Sequence, residues 1–406
     1  MIIRGENTYK TLIMNVLDKG KKLNKRRQLF VCEVFMLFLS IKGKINFLQL
    51  GRYGSLEEQA FRIQFEKRFD FLGFNSDMVK AQGSGHNVIA FDPSYISKSG
   101  KKTPGIGWYW SGCAGKAKWG LEISGIAAID VANHTAFHLE AVQTNFQPDS
   151  KENLVSWYLK VIGQRKTTLK GISTYMVFDA WFTKVDFVNG IVGHGFEMIG
   201  RLRDDADLRY LSKASPTGKK GRPKRFAGKV NPKSINLEYF TPMQGSEDAV
   251  LHSAVVNSKS LKRDVLVVHA RYKSESGKEV YKMYFSTDTK LDPVLVIEYY
   301  KNRFQIEFLY RDGKQFCGLN DSQARSSNKL DFHFNASLTA VNIAKVEHWL
   351  KLPPEKRNQF SMSDIKTMNH NRLLINAFCA KFGINPDLPK YQKDVNELLL
   401  YGTIAA

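Results

Sequence analysis

The chain has 406 residues, 43% hydrophobic and 24% charged, enough for two or three domains with a sizeable core. Lys and Arg number 60 against 39 Asp and Glu, a net charge of +21 with pI near 9.6. That excess favours a polyanionic partner, nucleic acid before membrane. Cys32, Cys113, Cys317 and Cys379 have no paired spacing, which argues against a disulfide framework or zinc site and suits buried thiols in a reducing cytoplasm. The most apolar run, Leu29–Ile41, is too short to span a bilayer and carries Glu33. The N-terminus lacks the tripartite form of a signal peptide. A soluble, intracellular protein is expected.

Residues 1–82 read as helical. Lys19–Arg27 holds six basic residues in nine, with Lys25, Arg26 and Arg27 the candidate DNA contacts. Beyond the apolar run, Ser55 is placed to cap a helix containing Glu57, Glu58, Phe61, Phe65 and Phe69. Short helices, a Gly-containing turn and exposed bases suit a helix-turn-helix DNA binder; a packing subdomain with a solvated basic face fits the same text.

After a linker at Gly83–His86, Asn87–Asp92 has a buried-strand pattern ending in a carboxylate before Pro93. The Gly- and Lys-rich stretch Ser97–Lys118 precedes two strands, Leu121–Val131 and Thr135–Val142, joined by a turn at Ala132–His134. Asn153–Ile162 has helical periodicity, Thr174–Asp179 is a second buried strand ending in Asp, Thr183–Val192 a helix and Phe196–Leu202 a strand. This order describes a mixed α/β sheet, in which Asp92 and Asp179 lie side by side if their strands are neighbours. Either Asp alone also reads as a turn former or helix cap.

From about Asp204 to Lys290 the runs are short and β-like: Leu237–Phe240, Ala249–Val256, Arg263–Tyr272 and Val280–Ser286. Ahead of them, Lys213–Lys233 carries eight basic residues and no acidic one. Arg222, Lys224 and Arg225 there suit a minor groove or a line of phosphates, or a solvated loop.

Ile297–Lys314 reads as one helix, started by Asp292 and Pro293. At about 100° per residue, Tyr300, Arg303, Glu307 and Lys314 fall within roughly 60° of one another on a single face, with Gly313 a possible stop just before the lysine. Gln323-Ala-Arg-Ser-Ser reads as a loop and Phe332–Val346 as a packing helix. Leu373–Phe382 and Asp394–Leu400 form a helical tail.

Three carboxylates from separate elements, Asp92, Asp179 and Glu307, suit hard divalent cations, since Mg²⁺ prefers oxygen ligands. Two such ions roughly 4 Å apart serve in-line displacement at a phosphodiester, and they relieve the mutual repulsion of close carboxylates.

Phe-Asp-Pro-Ser-Tyr at 91–95, Phe-Asp-Ala-Trp-Phe at 178–182 and the spacing Tyr300, Arg303, Glu307, Lys314 resemble the DDE transposases of bacterial insertion sequences, more narrowly the cut-and-paste subgroup with the Y-R-E-K signature. Gly-Arg-Leu-Arg at 200–203, Phe-Ser-Thr-Asp at 285–288 and the Gly318-Leu and Gln323-Ala-Arg-Ser stretches agree. The resemblance covers about residues 87–345. It implies a ribonuclease-H-like mixed sheet core at 83–204 and 291–346, split by a β-rich insertion at 205–290. A helical DNA-binding domain at 1–82 and a helical C-terminal region at 347–406 flank it.

It also implies Asp92, Asp179 and Glu307 as ligands of two Mg²⁺ or Mn²⁺ ions, with Tyr300, Arg303 and Lys314 on transposon-end phosphates. The implied reaction is hydrolytic nicking to free a 3′-hydroxyl, hairpin formation or second-strand release, and then strand transfer into target DNA. A homodimer on paired terminal inverted repeats would perform it in the bacterial cytoplasm, at the nucleoid and away from any membrane. One departure stands out. Some relatives stack a flipped base on a tryptophan in the insertion, whereas all six tryptophans here lie outside it; Tyr239, Phe240, Tyr272 or Tyr284 would substitute. Trp181 reads as core packing, and His86, His134, His138 and His194 as structural or surface residues. The rival readings are a transposase-derived repressor without catalysis and a metal-dependent nuclease without strand transfer.

Overall fold

Five helices come first: α1 (Arg4–Lys19), α2 (Lys25–Ser40), α3 (Phe47–Tyr53), α4 (Glu58–Gln64) and α5 (Phe71–Gln82). Asn24, Asn46 and Asp70 start α2, α3 and α5 by accepting from the backbone N–H three residues on, the usual remedy for orphan donors at a helix start. Ser55 does not cap α4. Its backbone N–H and hydroxyl both donate to the Glu33 carboxylate, and α4 begins after Glu57 without a side-chain cap.

Four strands follow, β1 (Asn87–Ser97), β2 (Gly107–Ser111), β3 (Lys116–Asp130) and β4 (Thr135–Gln143), then α6 (Leu154–Lys170), β5 (Tyr175–Val177), α7 (Val185–Gly193) and β6 (Glu197–Arg201). The region read as an insertion holds β7 (Leu208–Leu211), β8 (Phe226–Lys229), β9 (Thr241–Ser246), β10 (Ala249–Ser258), β11 (Arg263–Lys273) and β12 (Glu279–Ser286). The chain ends in α8 (Pro293–Asn302), α9 (Gln305–Phe316), α10 (Ser327–Trp349), α11 (Met362–Phe382) and α12 (Gln392–Leu400). This computed structural model describes residues 4–20, 23–145, 153–213, 224–246, 249–273, 277, 279–357 and 360–404.

Three further expectations change. Leu237–Phe240 is a turn, because the Asn236 carbonyl accepts from Tyr239 and Phe240 N–H and its side chain from Glu238 N–H, which satisfies locally what a strand partner would have taken. The Gly- and Lys-rich stretch contains a strand, β2. The single helix read across Ile297–Lys314 is two, broken at Arg303–Phe304; Asp292 and Pro293 do open α8, and α9 runs through Gly313 and Lys314. Gly313 is buried in α9 because a Cβ there would lie 2.8 Å from Leu338 Cδ2.

The chain forms two compact units. The first comprises residues 1–86, 93–147 and 305–406, the second 87–92 and 148–304. In the first, the helices of 1–82 share a core with the C-terminal helices: α2 packs on α10 and α11, and Phe30, Phe61, Phe65 and Phe332 interlock, Phe65 and Phe332 at 4.4 Å. Here β3 pairs with β2 and with β4. The outer edge of β4 is covered by amides. Asn335 accepts from Ala141 N–H and donates to Ala141 carbonyl, and Asn342 does the same for His138, at 2.8–2.9 Å. Asparagines on α10 thus take the place of a neighbouring strand, which explains polar residues deep in a buried helix.

In the second unit β5 lies parallel to both β1 and β6, β6 pairs antiparallel with β12, and β12 continues through β11 to β10. β7 and β9 add to β10, and β8 to β7. α8 packs on β6, β11 and β12.

Candidate active site

Asp92 and Asp179 come together through the sheet of the second unit. The parallel register pairs Ile89 with Met176 and Ala90 with Val177; continued two residues, it sets Asp92 level with Asp179, on strands spaced about 4.8 Å apart. The residue before each Asp is a buried phenylalanine, and Phe91 and Phe178 lie 6.1 Å apart with Phe182 beside both. Those rings anchor β1 and the end of β5; Asp179 is exposed, whereas Asp92 is half-buried and, contrary to the expected strand end, lies inside β1, which continues through Pro93 to Ser97. Asp179 also accepts from Ala180 N–H and opens a single 3₁₀ turn, Ala180–Phe182. The turn-former reading is therefore true of Asp179, and it fixes the carboxylate at the strand end.

The Tyr–Arg half of the signature sits in the same unit. Tyr300 packs its ring 4.7 Å from Tyr284, and the Arg303 guanidinium lies 5.9 Å over the Tyr300 ring. Burial holds the Tyr300 hydroxyl above its ordinary pKa; Asp179 pushes the same way, Arg303 and Arg201 the other. The hydroxyl therefore stays a proton donor. Arg201 is a member that sequence reasoning quoted without a role. It faces Tyr284 across the β6–β12 pair, and its buried Nε meets no hydrogen-bond partner among the described residues. The two supporting motifs are one structural feature: Gly200 pairs with Phe285, and a Cβ at Gly200 would lie 3.0 Å from that ring. The only advance signal was their joint appearance in the text.

Glu307 and Lys314 lie on α9 in the first unit, seven residues apart and so on one face. Two contacts tie α9 to β1 and β3. Lys314 Nζ donates to Ser94 Oγ at 2.8 Å, and the buried Tyr310 ring packs over Gly125 of β3, where a Cβ would overlap its hydroxyl and lie 2.8 Å from Cζ. Ser94, part of the Phe-Asp-Pro-Ser-Tyr text, follows Asp92 by two residues on β1. Among the described residues, no three His, Cys, Asp or Glu side chains form a group able to hold a metal ion.

The outlying candidates divide. Lys25 and Arg26 are exposed. Arg27 is buried, donating to the Gln64 carbonyl at 3.0 Å, the Gln64 side-chain oxygen at 2.9 Å and the Lys67 carbonyl at 2.8 Å, with Phe30 and Phe332 against its guanidinium. Burial lowers its pKa to about 10. Arg27 is thus a structural tie between helices, since its guanidinium is buried and donates three hydrogen bonds within the fold. Lys224 and Arg225 are exposed, Arg225 reaching Asp264 at 3.3 Å; Arg222 lies outside the described residues. Trp181 is 45% exposed, with Lys184 Nζ 3.3 Å from its ring centroid, so it is not core packing. Of the substitute aromatics, Phe240 and Tyr284 are buried and Tyr239 and Tyr272 half-buried. Tyr239 lies against Tyr210 at 4.6 Å.

The fold is thus a mixed α/β one in which Asp92 of β1 is level with Asp179 just past the parallel strand β5. Residues 161–343 match the Transposase DDE domain family, which supports a DDE transposase family for this chain and suggests transposase activity on DNA. The matched span includes Asp179, Tyr300, Arg303, Glu307 and Lys314. Asp92 precedes it, so its place rests on the strand register. No curated protein matches the chain. Among the described residues no helix is long and apolar enough to cross a membrane.

Proposed function

We propose that the protein is a metal-dependent transposase of the Y-R-E-K kind that cuts DNA at insertion-sequence ends and joins the freed ends to target DNA. The observation that carries this reading is the β1–β5 register, which continued two residues sets Asp92 level with Asp179, beside the match of residues 161–343 to the transposase domain. The donor set fits hard cations, being carboxylates: Asp92 within β1, Asp179 just past the end of β5, and Glu307 as the proposed third ligand. Two Mg²⁺ or Mn²⁺ ions, when bound, would supply Lewis acidity at an in-line phosphodiester displacement.

The chain's own groups do the holding. Tyr300 donates a hydrogen bond, while Arg303 and Lys314 contribute fixed positive charge, to phosphates of the terminal inverted repeat. Lys25, Arg26, Lys224 and Arg225 add sequence-independent attraction. Water first releases a 3′-hydroxyl at the element's end. That oxygen then attacks a target phosphorus and displaces the target's own 3′-oxygen, so one phosphodiester is made for each one broken. A homodimer pairs the two ends, each subunit binding one and cleaving the other, in the bacterial cytoplasm at the nucleoid.

The test addresses Asp92, which the family match does not reach. Asp92→Asn and Asp179→Asn are expected to lose cleavage by more than about a thousandfold, with binding to the inverted repeat within about twofold of wild type. Wild-type cutting by Asp92→Asn removes that residue from the site.

A further inference from the structure

The first unit carries an aromatic and basic surface that the cleavage chemistry does not use. β2 and β3 form a hairpin whose register sets Trp108 opposite Trp119 and Trp110 opposite Ala117. Alternation puts these indoles on one face, while Tyr109 turns to the other and donates to the Gly105 carbonyl at 2.8 Å. Trp108 and Trp110 are 69% and 65% exposed. A side chain with this much apolar surface is ordinarily buried to a large extent, so two at alternate positions of one hairpin ask for a ligand.

The hairpin adjoins a basic cleft. Trp108 meets Trp119 edge-on at 5.8 Å, and the Trp119 indole N–H donates to the Gly100 carbonyl at 2.9 Å. Gly100 belongs to a loop, 97–103, that lines a polar cleft of about 1150 Å³ together with residues 320–326. Lys98 ties those segments, donating to the Ser322 and Ala324 carbonyls at 2.5 and 3.0 Å. Lys44, Lys101, Lys102 and Arg325 stand exposed along the cleft. Asp321, its one lining carboxylate among the described residues, accepts from Ile45 N–H at 2.8 Å. The buried Ser322 hydroxyl, also lining it, has no hydrogen-bond partner among the described residues.

We propose that cleft and hairpin together bind single-stranded DNA, the cleft taking backbone phosphates and Trp108 and Trp110 stacking on unpaired bases. A positive groove beside exposed aromatic rings is what single strands require, because only unpaired bases present their faces. A second copy of the chain seated on the indoles would have no use for the basic wall. The proposal rests on reading DNA as the partner, and it is tested without cleavage.

Anisotropy of a labelled thymidine oligonucleotide is measured with full-length protein in EDTA, against a duplex of equal length. Trp108→Ala with Trp110→Ala is expected to weaken single-strand binding at least about tenfold, given the usual worth of base stacking, and duplex binding by less than about twofold. Trp108→Phe with Trp110→Phe keeps most of the affinity, since an aromatic face suffices. Lys101→Glu with Lys102→Glu weakens single-strand binding and lowers its salt slope by about one unit or more. Unchanged single-strand affinity in the alanine variant, or an equal loss on both substrates, overturns the proposal, as does an alanine variant altered only in sedimentation mass. A catalytically dead preparation gives the same binding result, so failure of the cleavage reading is seen separately.

Discussion

The placing of α9 yields a sharp test through Gly125→Ala. A Cβ at Gly125 would overlap the Tyr310 hydroxyl and lie 2.8 Å from its Cζ, against about 3.4 Å for ordinary contact. The ring must withdraw by about 0.6 Å at Cζ alone, and Tyr310 is only 5% exposed, with little space to enter. Overpacking of this kind costs about 1–3 kcal/mol. At about 2–4 °C per kcal/mol for a unit of roughly 250 residues, the melting transition falls by about 2–12 °C. The same displacement reaches Glu307, three residues before Tyr310, and Lys314, four after it; misplacing catalytic groups by about 1 Å costs about a hundredfold in rate. Thermal melts and cleavage rates are measured for Gly125→Ala, Tyr310→Phe and the double variant. Removing the hydroxyl relieves the worst overlap, so a favourable coupling of about 1–2 kcal/mol is expected. Wild-type stability and rate in Gly125→Ala, or strict additivity, would refute the argument that Tyr310 on Gly125 sets α9.

Arg27→Ala should destabilise the protein by about 2–4 kcal/mol, because it strands the Gln64 and Lys67 acceptors, while the folded variant keeps its DNA salt slope. Lys25→Ala with Arg26→Ala should do the reverse, lowering the slope by about 0.9 for each phosphate no longer neutralised; melts and salt titrations that exchange these outcomes sink both assignments. Acid sensitivity follows from two buried histidines. Burial drives His138 down to about 3, opposed by its bond to Asn335, and His333 to about 4, opposed by the Gly318 carbonyl. The unfolded chain takes up these protons below about 6.5, the folded one only nearer 3–4. Stability is therefore fully present above pH 6.5 and falls on acidification, by up to about 1.4 kcal/mol per histidine per pH unit. His138→Gln should flatten the melting-temperature profile between pH 6.5 and 4; an unchanged profile assigns the acid sensitivity elsewhere.

What could be read in advance was local. The buried-strand runs before Asp92 and Asp179, the Asp292–Pro293 helix start and the 300–314 spacing are patterns of neighbouring residues, and they located the elements. What escaped reading depended on distant partners. Arg27 is buried because Gln64, Lys67 and Phe332 meet it, and nothing in Lys19–Arg27 distinguishes it from Arg26. The break at Arg303–Phe304 interrupts a run with sound helical periodicity. β2 hid in a Gly- and Lys-rich stretch because its tryptophans face solvent instead of a core. Polar residues in α10 look wrong for a buried helix until their amides are seen on the edge of β4. The Ser94–Lys314 bond spans 220 positions and leaves no mark in spacing.

The central claim is that Asp92, Asp179 and Glu307 form a working nuclease and strand-transfer centre. Its most direct test is Mg²⁺-dependent cleavage of DNA carrying the inverted repeats that flank the gene, with Glu307→Gln beside the wild type. The account predicts specific 3′-hydroxyl ends from the wild type, joined to target DNA on further incubation, and none from Glu307→Gln. Tight binding to the repeats with no cutting by either protein would contradict it and leave a DNA-binding repressor. Cutting without joining would leave a nuclease.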